Sequence, residues 1–368
     1  VERNVNLTST AAKYSRRPIE AGWPESDLET LGQCPICGSL DRSIAYGDLK
    51  DKIFFCAPGT WTLWSCASCD VVYLDPRPTL SSIGRAYAKY YTHNSNGKTY
   101  AKQIKNTLRK LVWNSYLSRQ HGFRLNAALP LGWMLFAVRP ALAANLRNRI
   151  RNLPPPSGEF DRVLDVGCGS GEFLEIAREL GYQAEGIEVD PVAREHAAAK
   201  NLLVHPGPLP GSGLTAGTYS HILLNHVIEH FHDPAAALEE VYSLLRPGGT
   251  VWLQTPNNAA ASLRRYGGNS RLLEPPRHLV IFNTRSLREV LAKVGFEEVT
   301  ILDENVVMDQ DYTFTVSQSW LIEQGLDPYA TPVSFIPKEV MRPANDSGYD
   351  LEPRGTHAEM VAVTAKKP

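Results

Sequence analysis

Val163-Leu164-Asp165-Val166-Gly167-Cys168-Gly169-Ser170-Gly171 carries an apolar run into an acid and then into three alternating glycines. Arg162 to Val166 reads as a buried parallel strand. Gly167, Gly169 and Gly171 allow a tight turn and let a ligand approach with no Cβ in the way. From Glu172 to Leu180 the apolar residues are Phe173, Leu174, Ile176, Ala177 and Leu180, which is helix spacing. A Gly-rich strand-to-helix turn is where an open α/β sheet binds a nucleotide-like ligand. Alone, the turn does not separate one such ligand from another.

The sequence downstream narrows the choice. Ala184-Glu185-Gly186-Ile187-Glu188-Val189-Asp190 is a second strand ending in acids, and Glu188 lies 21 residues after Gly167. That is the separation expected of an acid that hydrogen-bonds ribose hydroxyls. Leu244-Leu245-Arg246-Pro247-Gly248-Gly249-Thr250 then precedes a strand at Val251 to Thr255. Together these three signals resemble the class I S-adenosylmethionine (SAM) methyltransferases, over about residues 158 to 303 and the terminal strand Met360 to Thr364. The resemblance implies donor contacts from Asp165, Gly167, Cys168, Gly169, Gly171, Glu188, Val189 and Asn225. Two positions depart from the family's pattern. Gly207-Pro208-Leu209-Pro210 stands where an acid near the adenine is usual, and Ser220 stands where the fourth strand usually begins with Asp.

Cys34-Pro35-Ile36-Cys37 and Cys66-Ala67-Ser68-Cys69 are two C-x-x-C turns. Cys34, Cys37, Cys66 and Cys69 can surround Zn²⁺ with four sulfurs. Four thiolates close the coordination sphere, so the zinc is expected to be structural, stapling a ribbon too small to fold alone. Cys56 and Cys168 are left as small packing residues. The expected fold is α/β: a Rossmann-like, seven-stranded, mostly parallel sheet with helices on both faces, preceded by the zinc ribbon and a helical segment. Strands are expected at 161–166, 183–189, 202–205, 219–225, 250–256, 296–303 and 358–365. The division is a polar lead at 1–28, the ribbon at 29–78, a basic, mainly helical segment with its linker at 79–157, and the core at 158–368. The core carries a Pro-rich insertion at 305–357, read either as an ordered excursion or lid or as a surface loop.

The 368 residues are 43% hydrophobic and 21% charged, ordinary for a soluble globular chain that can bury a sizeable core. Val1 to Tyr14 has no apolar segment of the secretory kind, and no run of 18 apolar residues exists. The cysteine pattern suits a reducing, cytoplasmic setting. Charge is segregated. Pro76 to Gly158 holds fourteen Lys and Arg and no Asp or Glu, so the rest of the chain is at −15 against −1 for the whole. Such a segment attracts anionic partners. Within it, Ile83, Tyr87, Tyr90 and Tyr91 recur at helical spacing, and Ala127 to Val138 is an apolar run with Trp133, Met134 and Phe136. That run is too short to span a bilayer. It either lies peripherally on the anionic inner membrane face or packs on the core as a cap, Pro130 and Pro140 interrupting any long helix.

The acceptor side is expected where the strand Tyr219 to Leu224 ends, at Asn225-His226-Val227-Ile228-Glu229-His230. His226, Glu229 and His230 fall at i, i+3 and i+4 and would share a helical face. Three roles suit them. His230 or His226 can be a general base, the three can bind a divalent metal such as Mg²⁺, or the histidines can pack behind the donor. The stretch resembles the ubiquinone-pathway O-methyltransferases, whose turn carries an acid and then Glu and His three and four residues on, and is linked to a divalent metal. Glu229 and His230 match, whereas His226 replaces the acid. Glu274-Pro275-Pro276-Arg277-His278-Leu279 is a second constellation, resembling loops in bacterial glycan and secondary-metabolite methyltransferases that also carry C-x-x-C pairs. Its prolines aim Arg277 and His278. His278 is then a second candidate base, or Arg277 and His278 simply hold the loop.

The expected activity is SAM-dependent O-methylation of a carbohydrate, lipid-linked or secondary-metabolite hydroxyl. The alternatives are an RNA methyltransferase that docks through the ribbon and basic segment, and a non-catalytic scaffold. Nucleic acid is disfavoured because the basic residues alternate with aliphatic runs rather than stacking aromatics. The intact DVGCGSG turn and Glu188 disfavour the scaffold.

Overall fold

A computed structural model describes residues 13–88, 100–158, 160–302, 308–340 and 358–368. Tyr90 and Tyr91, most of the polar lead, and the parts of the insertion at 305–307 and 341–357 lie outside the described residues.

The strands in chain order are β1 Leu28–Glu29, β2 Arg42–Leu49, β3 Trp61–Cys66, β4 Val72–Leu74, β5 Arg77–Pro78, β6 Arg162–Val166, β7 Gln183–Glu188, β8 Leu203–Pro206, β9 Tyr219–Asn225, β10 Leu245–Pro256, β11 Val280–Ile281, β12 Glu297–Ile301 and β13 Met360–Lys366. The described helices are α1 Tyr100–His121, α2 Met134–Ala137, α3 Pro140–Arg149, α4 Glu172–Glu179, α5 Pro191–Ala198, α6 Pro234–Leu244, α7 Ala261–Tyr266, α8 Thr284–Val294 and α9 Met308–Glu323.

Seven strands form one sheet in the order β12-β13-β10-β9-β6-β7-β8. β13 runs antiparallel to both neighbours, whereas β6, β7, β8, β9 and β10 pair in parallel. Alternate residues face opposite sides of the sheet. Leu164, Ile222 and Leu253 join Leu238, Val241 and Leu287 of α6 and α8 on one side. Val163, Leu223 and Trp252 join Phe173 of α4 and Tyr116, Phe136 and Leu146 of the basic segment on the other. Burial on both faces explains the unbroken apolar runs in these strands. Gly248 and Gly249 lie inside β10, where the register with β9 shifts between Leu245 and Thr250. The LRPGG turn is therefore a break within one long strand.

The N-terminal module does not stand apart. β2, β3 and β4 make an antiparallel sheet whose edge is completed by β11, from the far end of the core sequence. Trp61, Leu63 and Tyr73 belong to the same apolar core as Leu164 and Ile222. Tyr14 and the described part of the insertion pack together, with Val316, Leu321 and Ile336 against Tyr266 of α7.

The strand order reverses between β6 and β9, which sit side by side. An open α/β sheet binds its ligand at the carboxyl ends of the strands at such a switch point. Here those ends deliver the glycine turn and Asn225.

Candidate active site

The three glycines differ in purpose. Gly169 has φ +54 and no atom within 4 Å of where a Cβ would stand, so its outer side is open to a ligand. At Gly167 a Cβ would lie 2.6 Å from Val227 Cγ2, and at Gly171 it would collide with Leu202. Only Gly169 fits the ligand-approach reading. The other two let Val227 of the acceptor loop and Leu202, the residue before β8, close against the turn. The Cys168 side chain points away, into a small cluster with Leu174, Ala197 and Leu202.

Glu188 closes the donor side. Its carboxylate accepts the Gly169 N–H at 2.8 Å and the Asp190 N–H at 2.9 Å. Val189 beside it is exposed, an apolar surface next to the acid. Asp165 is buried at the end of β6, and one of its oxygens accepts from Arg151. Burial pushes the Asp165 carboxyl up, against the pull of Arg151. Its Oδ2 has no hydrogen-bond partner among the described residues. Arg151, just past α3, was not singled out by the sequence. The available signal was only its place as the last of the fourteen cations of the acid-free segment, 14 residues before Asp165. Ser220 donates to Asp161 at 3.0 Å, so an acid from the start of the neighbouring strand stands near the position the fourth-strand Asp would occupy.

On the acceptor side, Ile228–His230 is a single 3₁₀ turn, and His226, at φ +54, lies outside it. The shared helical face of His226, Glu229 and His230 does not form, because the chain leaves β9 through a left-handed residue. Instead Glu229, His230 and His278 converge, offering one ligand atom each, all within 4.8 Å of one another. The two imidazole rings meet edge to face at 5.0 Å. His226 stays at the rim, its Nδ1 3.6 Å from Glu229 Oε1.

Each central imidazole is fixed through Nδ1. His278 Nδ1 donates to the Leu272 carbonyl at 2.7 Å. His230 Nδ1 lies 2.9 Å from the Arg277 carbonyl, to which it can donate, and 3.1 Å from the Tyr87 hydroxyl. Donation from Nδ1 leaves a lone pair on Nε2 of each ring. Burial depresses both imidazoles below their ordinary value, His278 strongly and with help from His230, so both are neutral near pH 7. Glu229 is fully buried, and its Oε2 accepts from Thr255 at 2.9 Å. Burial alone would raise it, but the surrounding His226, His230 and His278 hold it at about 2.

The loop carrying His278 is anchored by Arg277, whose exposure is 0%. Its guanidinium donates to Asp51 Oδ1 at 2.6 Å, Glu274 Oε1 at 2.9 Å and the Ala86 carbonyl at 2.8 Å. Burial would raise the Asp51 carboxyl, but Arg277 and the N–H groups of Ala57 and Cys56 hold it below the usual carboxylate range. Arg277 thus holds the loop, as one reading of Glu274–Leu279 expects, and His278 stands beside His230 and Glu229. Asp51, from the ribbon, and Tyr87, from the start of the basic segment, support the site, and no motif marks either for that role.

The four cysteine sulfurs lie within 4.8 Å of one another. Cys34–Cys69 and Cys37–Cys66 are 3.6 and 3.5 Å apart. A tetrahedron with metal–sulfur bonds of about 2.3 Å has edges of about 3.8 Å, whereas a disulfide needs about 2.05 Å. The quartet fits zinc and is not oxidised.

The fold places a glycine turn and an acid at its switch point, where an open α/β sheet takes its ligand. Residues 138–301 match the family described as a methyltransferase domain. Over 108 residues the chain is 36% identical to the ubiquinone biosynthesis O-methyltransferase of Xanthomonas campestris pv. campestris (strain B100), covering 27% of this chain and 45% of that one. The Xanthomonas oryzae pv. oryzae (strain PXO99A) protein of the same description is 34% identical over the same length and coverage. The chain thus spans just under half the length of these curated relatives. A solved SAM-dependent methyltransferase from Archaeoglobus fulgidus is 21% identical with a TM-score of 0.41, covering 64% of this chain and 99% of that one. Residues 138–301 thus carry a methyltransferase domain.

Proposed function

We propose that this protein methylates a hydroxyl of a carbohydrate, lipid-linked or secondary-metabolite acceptor, using SAM. The observation that carries the reading is the meeting of two imidazoles, His230 and His278, with the buried Glu229 carboxylate. SAM supplies an electrophilic methyl group when bound. Glu188 has lone pairs left for two ribose hydroxyls, and Gly169 admits a close backbone approach. Asp165 Oδ2 suits the donor's ammonium, and Arg151 its carboxylate. An Nε2 of His230 or His278 takes the acceptor proton while Nδ1–H stays on its carbonyl. Glu229 then stabilises the imidazolium.

Methyl transfer asks the protein mainly to align two reactants and remove one proton. Incubation with methyl-labelled SAM and fractionated cell extract tests the reading. Label in a lipid, glycan or small-molecule fraction on oxygen supports it; label in RNA or on nitrogen overturns it. A second reading uses the same residues as ligands. One carboxylate and two imidazoles, each held through Nδ1 by a carbonyl, also fit a divalent cation. Activity lost with EDTA and restored by Mg²⁺ would favour it over the base. The cysteine quartet is proposed to hold one structural zinc per chain, checked by elemental analysis of the native protein and of Cys66→Ser.

A further inference from the structure

The apolar run in the basic segment has two apolar sides. Phe136 is buried against the sheet, and Trp133 packs on the same cluster. The outward side is apolar as well: Leu131 is 68%, Met134 51%, Leu135 41% and Val138 76% exposed. These four stand at i, i+3, i+4 and i+7 along a turn and α2, so they form one outward stripe. Leu129 adds to it, and Leu108 on α1 is also exposed. A helix that only capped the core would turn polar residues outward.

The surroundings say what covers this stripe. Arg124 and Arg139 flank it and are exposed, as are Arg109 and Arg119 on α1. No carboxylate occurs anywhere between residues 76 and 158. A second copy of the chain would bring the same acid-free segment across a two-fold contact and set arginine against arginine, Glu179 of α4 being already paired with Lys110 at 2.6 Å. An anionic lipid surface satisfies both features, because the stripe enters the headgroup boundary while the arginines meet phosphates. No described helix is long and apolar enough to cross a membrane, which leaves a peripheral contact.

We propose that Leu129, Leu131, Met134, Leu135 and Val138, with Arg124 and Arg139, form a docking surface for anionic membranes. This deepens the lipid-linked reading of the acceptor and rests on it for its purpose. Vesicle binding needs no methyl transfer, so the two can fail separately. The full chain should float with phosphatidylglycerol–phosphatidylcholine vesicles, not with phosphatidylcholine alone, and should be released by high salt. Leu131→Asp/Met134→Asp should lower the bound fraction by about tenfold, with SAM binding by calorimetry unchanged. Arg124→Glu/Arg139→Glu should do the same by charge alone, which covers the case in which the first variant misfolds. Three results would overturn the proposal: no flotation, flotation unchanged in both variants, or a dimer by light scattering that the first variant dissociates.

Discussion

On the donor side, Asp165, the glycine turn and Glu188 come from 24 consecutive residues. On the acceptor side, Tyr87, Glu229, His230 and His278 come from three distant segments and meet only in the fold. The donor side is held by short-range backbone bonds such as Gly169 N–H to Glu188. The acceptor side is held by a buried ion network that reaches from the ribbon through Asp51 and Arg277 to the loop of His278. The ribbon is therefore more than a stapled appendage, because its sheet and one of its acids position the loop that carries a proposed base. A methyl donor can be served by a local motif. An acceptor site must be assembled, and here the N-terminal module takes part in the assembly.

The sharpest way to break this contrast is at the imidazoles. His278→Ala or His230→Ala should lower turnover by about 10²–10⁴-fold with SAM affinity unchanged. If both variants stay active, proton removal lies elsewhere and the acceptor side needs a different centre. If SAM affinity falls with turnover, the two sides are not separable.

Arg277→Met probes the strut. It leaves Asp51 buried without its cation, while Glu274 keeps Arg271, and should cost about 3–5 kcal/mol of stability. Denaturant unfolding reads this directly. An unchanged midpoint would mean that the Arg277–Asp51 pair adds nothing to the joining of ribbon and core.

The donor side should respond more mildly. Glu188→Ala should weaken SAM binding by about 1.5–3 kcal/mol in calorimetry, without loss of zinc from the cysteine quartet. Unaltered affinity would remove Glu188 from the site.

The smallest effect is in the pH profile. A base must be neutral to accept a proton, and burial lowers the pKa of both His230 and His278. Their neutral forms persist as pH falls through the ordinary imidazole value near 6.5, so activity should hold there and decline only at lower pH. An acid limb centred at or above 6.5 would point away from both rings.

Much of the architecture was legible in the sequence. β6, β9 and β13 fall where apolar runs predict them, because strands buried on both faces leave such a signal. The glycine turn and Glu188 were legible because their spacing lies within one βαβ unit. The helical grouping of His226 with Glu229 and His230 was not realised, since one left-handed residue breaks the periodicity on which it relied. Arg151, Tyr87 and Asp51 could not be read as site residues, because nothing within a few positions of each marks what it meets.

By itself, the sequence determined the α/β sheet, the donor turn with its acid, the cysteine quartet and the segregation of charge, since these depend on residue type and short spacing. Only the tertiary structure decided which histidines meet, that β11 completes the ribbon sheet, and that Arg277 joins Asp51 across 226 positions of chain. Burial is the physical reason. An ion pair at 0% exposure must find its partner wherever the fold delivers one, and no local pattern records that meeting.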